Sequence, residues 1–460
     1  MQTECIPGQL EFEGLGKRRV VAGFDGGAIT SDAGGLLLRE TDRAVGLLER
    51  IAACFDDGRS PDQLVHSLRT LVGQRVVGLA LGYEDVNDHD QLRHDPVLGL
   101  LAERLEPKRA DCAALAGKST LNRLEQSPAS GDPRYHKIAH DPTALANLFV
   151  DLFVEAHDRP PHRIILDLDA TDDPLHGHQE GRFFHGYYGC YCYLPLYVFC
   201  GRHLLAAKLR PSNIDASAGA VEEVARIVAG IRRRWPRVKI LLRADAAFAR
   251  DRLMTWCETN RVDYVFGLAR NERLVERIAD ELAEARWQSL GSGQPVRRFK
   301  EFFYKTRKSW RRRRRVIAKA EHLPKGANPR FIVTSLKPSA INARVLYEKV
   351  YCARGEMENR IKEQQLDLFA DRTSTASLRA NQLRLWFAAF AYVLIDALRR
   401  IALRHGQFAN ATCGTIRLKL LKIGARITTS FRRIKIAMAS SCPYQNDFAL
   451  AHAYLRLSLP

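Results

Sequence analysis

Apolar residues recur along the chain with two periods. From Thr41 to Glu125 they come at spacings of three and four, as in Leu47-Leu48-Ile51 and Leu64-Leu68-Leu71-Val72, a spacing that predicts helices. Two shorter runs before this region, Arg19 to Gly27 and Gly34 to Leu38, are punctuated by glycine and predict strands. Pro128 to Pro142, with Ser130, Gly131 and Asp132, reads as a linker, and a helix is expected from Pro142 to about His157. Beyond Pro160 the pattern becomes mixed. Strands are expected at Arg163 to Asp169, Tyr187 to Cys200, His203 to Leu209, Val238 to Asp245 and Val262 to Leu268. Helices are expected at Ala218 to Arg234 and from Asp245 to about Asn260. Residues 274 to 286 read as helix and 296 to about 335 as strands, before a helix that carries Glu358. The apolar run Leu385 to Leu403 contains Asp396, Arg399 and Arg400 and reads as a core helix, not a membrane span.

A three-strand meander followed by helix, strand, helix and strand is the order of a ribonuclease-H-like fold. The expected class is α/β: such a core, interrupted by a β-rich insertion and preceded by a mostly helical N-terminal domain. The expected boundaries are 1–157 for the N-terminal region, 158–270 and 341–405 for the two parts of the core, 271–340 for the insertion, and 406–460 for a basic C-terminal region.

Charge narrows the function. The 460 residues carry 71 Lys+Arg against 52 Asp+Glu, a net +19, which opposes compaction by self-repulsion and calls for a polyanionic partner. About half of that excess lies between Arg297 and Arg315, where eleven cations face one acid, Glu301. Phe299, Phe302, Phe303, Tyr304 and Trp310 are interleaved with Arg297, Arg298, Lys305 and Arg311, Arg312, Arg313, Arg314 and Arg315. This reads as a DNA-tracking surface with stacking residues; the competing reading is an edge strand kept soluble by charge. A second basic zone, Arg417 to Lys435, reads as a half-buried hairpin with a cationic outer face. The ten cysteines are scattered, and Met1 to Cys5 carries no signal-peptide pattern, so reduced thiols and a cytoplasmic, nucleoid-associated protein are expected. Cys190 and Cys192, between His185 and His203, have zinc-like proximity, but buried free thiols in a strand are the commoner reading.

The chemistry rests on acids that end predicted elements. Ile164 to Thr171 ends in Asp167-Leu168-Asp169-Ala170-Thr171, Val238 to Asp245 ends in Arg243-Ala244-Asp245, and Tyr351, Arg354 and Glu358 share one helix face at i, i+3 and i+7. Strand, strand and helix each deliver a carboxylate, the pattern of a metal-dependent nuclease. Three carboxylates suit two Mg²⁺ ions, with Mn²⁺ as a substitute, in phosphoryl transfer. Asp25 reads as a turn carboxylate. Gly82 to Asp90 lacks the glycine of a calcium loop and reads as capping residues, and Gly117-Lys118-Ser119 lacks the leading glycine of a phosphate loop.

These motifs resemble those of the DDE transposases of bacterial insertion sequences, in the branch with a β-rich insertion, and the chain looks most like the insertion-sequence 1380 family. Gly82-Tyr83-Glu84-Asp85, Leu92 to Pro96 and Ser119 to Glu125 resemble that family's N-terminal signatures. The resemblance implies Asp169, Asp245 and Glu358 as catalytic metal ligands; Asp167, on the same strand face as Asp169, is the alternative first ligand or an outer partner. It implies Tyr351 and Arg354 at a DNA phosphate. The Lys expected seven residues after Glu358 is Gln365, and Lys362 or Lys305 would take its place. It further implies cut-and-paste transposition: nicking at terminal inverted repeats of double-stranded DNA, then attack of the freed 3′-hydroxyl on target DNA, with a homodimer holding two ends. A host nuclease and an inactive DNA-binding relative are the alternatives.

Overall fold

The computed structural model of the protein describes residues 9–106, 108, 112–127 and 136–459. Residues 128–135 of the expected linker, and Met1 to Cys5, lie outside them. The chain forms two compact units. One is drawn chiefly from residues up to Leu124 and from Phe390 onward, the other chiefly from Ala139–Ala389. This differs from the expected boundaries of 157 and 406. The helix α1, Pro142–Glu155, capped by the Asp141 side chain, belongs with the second unit because it packs on α2, Ala220–Arg234, and on the strand His203–Lys208.

The second unit is built on one nine-stranded sheet. Its strands in chain order are β1 (Arg163–Ala170), β2 (Leu196–Cys200), β3 (His203–Lys208), β4 (Lys239–Ala244), β5 (Asp263–Leu268), β6 (Val296–Tyr304), β7 (Arg314–Leu323), β8 (Gly326–Ala327) and β9 (Arg330–Thr334). In space the order is β3-β2-β1-β4-β5-β9-β7-β6, with β8 on β7. Only β1, β4 and β5 run parallel, and every other pairing is antiparallel. The strands of the stretch 271–340, expected as a β-rich insertion, join the same sheet: β9 pairs along β5 from Val265↔Thr334 to Leu268↔Phe331.

Side-chain parity sorts the sheet into two faces. Ile164, Leu166 and Leu168 of β1, with Ile240, Leu242 and Ala244 of β4, enter one core with Val224, Ile227, Val228 and Ile231 of α2. Those four α2 positions follow the helical period, and burying each is worth about 1.5–3 kcal/mol. Glu222 and Glu223 in its first turn and Arg232, Arg233 and Arg234 in its last complement the helix dipole. Ile165, Leu241 and Val265 point the other way, into a second core with Leu346, Tyr347 and Tyr351.

In the first unit Leu36–Val45 is a helix, not the expected strand. Gly34 passes so close to the Leu420 carbonyl that no side chain fits there, which leaves Leu37, Leu38 and Thr41 to be buried at helical spacing. The basic zone divides. Cys413–Leu421 is helical, contrary to the hairpin reading, and the hairpin is Ala425–Ser430 with Arg433–Met438, paired to Ala28–Thr30 and exposing Arg426, Arg433 and Lys435. In Gly82 to Asp90, Asp85 and Asp88 form a reciprocal cap on the turn Val86–Asp88. Among the described residues no helix is long and apolar enough to cross a membrane.

Candidate active site

The same parity that sends Leu168 and Ala244 into the first core sends Asp167, Asp169, Arg243 and Asp245 to the opposite face. Parallel β1 and β4 are in register with Arg243 beside Asp167 and Ala244 beside Leu168, so Asp169 and Asp245 end neighbouring strands side by side. Asp245 also begins a short turn, accepting from the Ala247 amide at 2.9 Å, and Asp169 accepts from the Ala170 amide at 3.0 Å.

The third acid arrives on a helix of uneven winding. The chain is wide-wound over Leu346–Tyr351, tight over Cys352–Arg354, and regular in α3, Gly355–Lys362, which packs against β1. Such local rewinding often marks functional segments. Arg354 links the carboxylates: Nη1 donates to Asp169 Oδ2 at 3.0 Å and Nη2 to Glu358 Oε1 at 3.0 Å. Burial pushes the Asp169 carboxyl up to about 6. Arg354 opposes that shift, and the negative charges of Asp245 and Glu358 add to it. Asp245 and Glu358 are thus both near enough to act on Asp169 electrostatically. Burial likewise raises the Tyr351 phenol, with Arg354 opposing and Asp245 reinforcing.

Asp167 is engaged elsewhere. It is buried, and Arg243 grips it with two hydrogen bonds, Nε to Oδ1 at 2.5 Å and Nη2 to Oδ2 at 2.7 Å; Arg243 Nη1 reaches the Val350 carbonyl at 2.5 Å. The Asp167–Arg243 pair therefore ties β1 and β4 to the segment that delivers Tyr351. Arg243 had no role assigned from the sequence, although its place two residues before Asp245 already put it on the acids' face. Gly267 of β5 also escaped notice. A Cβ there would lie 2.6 Å from Tyr351 Oη and 2.8 Å from the Ala246 amide nitrogen, so glycine lets the phenol approach Asp245. Gln365, at the position of the expected Lys, donates to the Asp172 carbonyl at 3.0 Å, while Lys362 is exposed one turn after Glu358.

The basic stretch is not one exposed surface, as the sequence suggests, but is part buried. Trp310 is buried edge-on to Tyr304 at 5.9 Å, with the Arg314 guanidinium 5.6 Å from its ring. Arg314 is buried among Asp251 at 2.7 Å, Glu258 at 2.8 Å and Thr255 at 3.0 Å. Arg315 is buried against Glu301 and the Leu336 and Ile341 carbonyls. These three side chains hold β7 to its neighbours and are not available to DNA. Arg314 and Arg315 are adjacent and face opposite sides of β7; both are buried because both faces of that strand are covered, and each buried cation must be paired. Arg297 pairs with Glu321 at 2.8 Å and Glu348 at 3.4 Å, and Arg298 with Glu284 at 2.9 Å. Arg311 and Arg312 stay exposed beside Asp251 and Glu258, and Lys305, Arg307, Lys308 and Arg313 are exposed on the β6–β7 connection.

Among the described residues, no group of three His, Cys, Asp or Glu side chains is arranged to hold a metal ion. That includes the Cys190 and Cys192 pair, whose thiols are free; burial pushes that of Cys192 up to about 11. The donor chemistry of Asp169, Asp245 and Glu358 nonetheless fits a hard cation. All donors are carboxylate oxygens, one of them is raised by burial and by the negative charge of the other two, and the Arg354 guanidinium bridges two of them.

Residues 12–459 match a protein-family model described as Transposase DDE domain group 1. No match was found among curated protein sequences. Among solved structures the chain is similar to a piggyBac transposase in a synaptic complex with hairpin DNA. The identity is 10% and the TM-score 0.39, with 94% of this chain and 82% of that one covered.

Proposed function

From the premise that the chain belongs to the family of transposase DDE domains, group 1, whose members cleave and join DNA, we propose that it is a cut-and-paste transposase. It binds the terminal inverted repeats of a bacterial insertion sequence of the 1380 type, frees the 3′ ends and joins them to target DNA. The observation that carries this reading is the convergence of Asp169, Asp245, Arg354 and Glu358 from two strand ends and one helix. The order β3-β2-β1-β4-β5, with β2 and β3 antiparallel to a parallel centre, supports a ribonuclease-H-like core around these acids.

Asp169, Asp245 and Glu358 would hold two Mg²⁺ ions, or Mn²⁺, which supply Lewis acidity and neutralise charge when bound. The chain's own residues fix the geometry. Asp169 and Asp245 stand on strands locked together by register, and the Asp167–Arg243 pair holds the incoming segment at Val350. Arg354 orients Asp169 and Glu358 and has further N–H donors for a phosphate oxygen. Tyr351, seated over Gly267, borders the same space. The freed 3′-hydroxyl then attacks target phosphodiester without a covalent protein–DNA intermediate. Two element ends call for two active sites, hence a homodimer on DNA.

The test is excision of an element flanked by its own ends from a plasmid, with Mg²⁺. Asp169→Asn, Asp245→Asn and Glu358→Gln should each lower excision by roughly a hundredfold or more. Asp167→Asn, which alters a buried support, should leave excision within about tenfold of wild type per folded molecule. Loss on Asp167→Asn with retention on Asp169→Asn would sink the assignment of the first ligand, and cutting of plasmid lacking the ends would favour a nuclease.

A further inference from the structure

The excursion between β1 and β2 takes no part in the chemistry above. Just past Asp169 the chain leaves the main sheet and forms a small sheet of Asp173–Pro174, Phe183–His185 and Cys190–Tyr193. From His176 to Tyr193 its 18 residues include six Phe or Tyr and no Ala, Val, Leu, Ile or Met. Its outer surface is therefore aromatic without being aliphatic. Phe184, Tyr187 and Tyr191 are 58%, 86% and 44% exposed. Phe184 and Tyr191 are directly opposed in register, their rings 5.5 Å apart at 75°, and the Arg182 guanidinium lies 4.2 Å from the centre of the Tyr191 ring. Tyr187 stands at the tip, in a turn closed by the Gly189 amide on the His185 carbonyl at 2.8 Å.

The base of this hairpin is firmly held. Tyr193 Oη donates to the Glu180 carbonyl at 2.6 Å and Ser212 Oγ to the Phe183 carbonyl at 2.9 Å. Gln365, beyond the catalytic helix, secures the Asp172 carbonyl, and Gln179 Nε2 donates to the Thr373 carbonyl at 3.1 Å. A rigid aromatic hairpin thus rises from the end of the strand that carries Asp169.

We propose that this hairpin is a stacking platform for unpaired nucleotides of the DNA end held at Asp169, Asp245 and Glu358. The inference rests on the transposase reading for its place in the reaction. Every base has a π face, and aromatic rings with a stacked guanidinium receive such faces with little regard to sequence. A surface for an amphipathic protein segment would be expected to include aliphatic side chains, which this excursion lacks. The small sheet begins at Asp173, just past the end of the strand that carries Asp169, so the base of the platform adjoins the reaction centre in the chain.

The test uses the full chain, in chelator, with a single-stranded oligonucleotide that contains 2-aminopurine and no element end. Wild type should quench the fluorescence by stacking. Tyr187→Ala, at the exposed tip, and the double variant Phe184→Ala/Tyr191→Ala should each weaken binding by roughly tenfold, whereas Tyr191→Phe should keep it. No quenching by wild type, or alanine variants equal to it, would overturn the proposal. So would a change in oligomeric state on Tyr187→Ala with quenching intact, which would assign the face to a second copy of the chain. Excision is read separately. Stacking without excision would sink the transposase reading and leave the platform, and excision without stacking would sink the platform alone.

Discussion

Asp169→Asn should abolish excision and, at the same time, stabilise the metal-free protein. Burial raises the Asp169 carboxyl from 3.8 in the unfolded chain to about 6 in the fold, even with Arg354 alongside. At about 1.4 kcal/mol per pH unit, the ionised carboxylate costs the native state about 3 kcal/mol once both states are ionised. The sign follows from proton binding. Between pH 3.8 and about 6 the native protein binds more protons than the unfolded chain, so its stability falls as pH rises, then levels off. Asn carries no such charge. In chelator, denaturant unfolding should show the variant more stable by about 2–3 kcal/mol at pH 8, with the gap closing towards pH 4. Mg²⁺ should then stabilise wild type at pH 8 more than the variant, because a ligand that binds only the native state adds its binding free energy to stability. A variant less stable than wild type at pH 8, or a gap that does not change with pH, would refute the reasoning. It would mean that the Arg354 pair outweighs burial.

Three further outcomes test the site and the basic stretch. Gly267→Ala places a methyl 2.6 Å from Tyr351 Oη, and the displaced phenol and Asp245 turn should lower excision by roughly a hundredfold with the protein still folded by circular dichroism; wild-type excision would show that the approach is dispensable. Neutralising Lys305, Arg307, Lys308 and Arg313 together should flatten the dependence of log binding constant on log salt by about three to four units for end DNA. Arg314→Gln should instead lower stability and leave that slope alone; the opposite result would move the interface to the buried face.

Much of the catalytic geometry follows from local rules that a sequence displays. Strand alternation puts Asp167, Asp169, Arg243 and Asp245 on one face, and helical spacing puts Arg354 and Glu358 within reach of each other, because both periods are properties of the backbone alone. The meander followed by alternating helices and strands likewise foreshadowed the centre of the sheet. Tertiary structure decided the rest. Which of two same-face acids is drawn into an ion pair depends on the partner that register brings alongside: Arg243 lies beside Asp167 only because β1 and β4 pair as they do. The run Arg311 to Arg315 looked uniform in one dimension. Its last two members and Trp310 were taken inward when β7 found β6 and β9, and burial then demanded Asp251, Glu258 and Glu301 as partners. The segments before Leu124 and after Phe390 share a unit, a long-range association that no window of sequence can contain. Gly267 is the plainest case, since its importance lies in a space filled by Tyr351, 84 residues further along the chain.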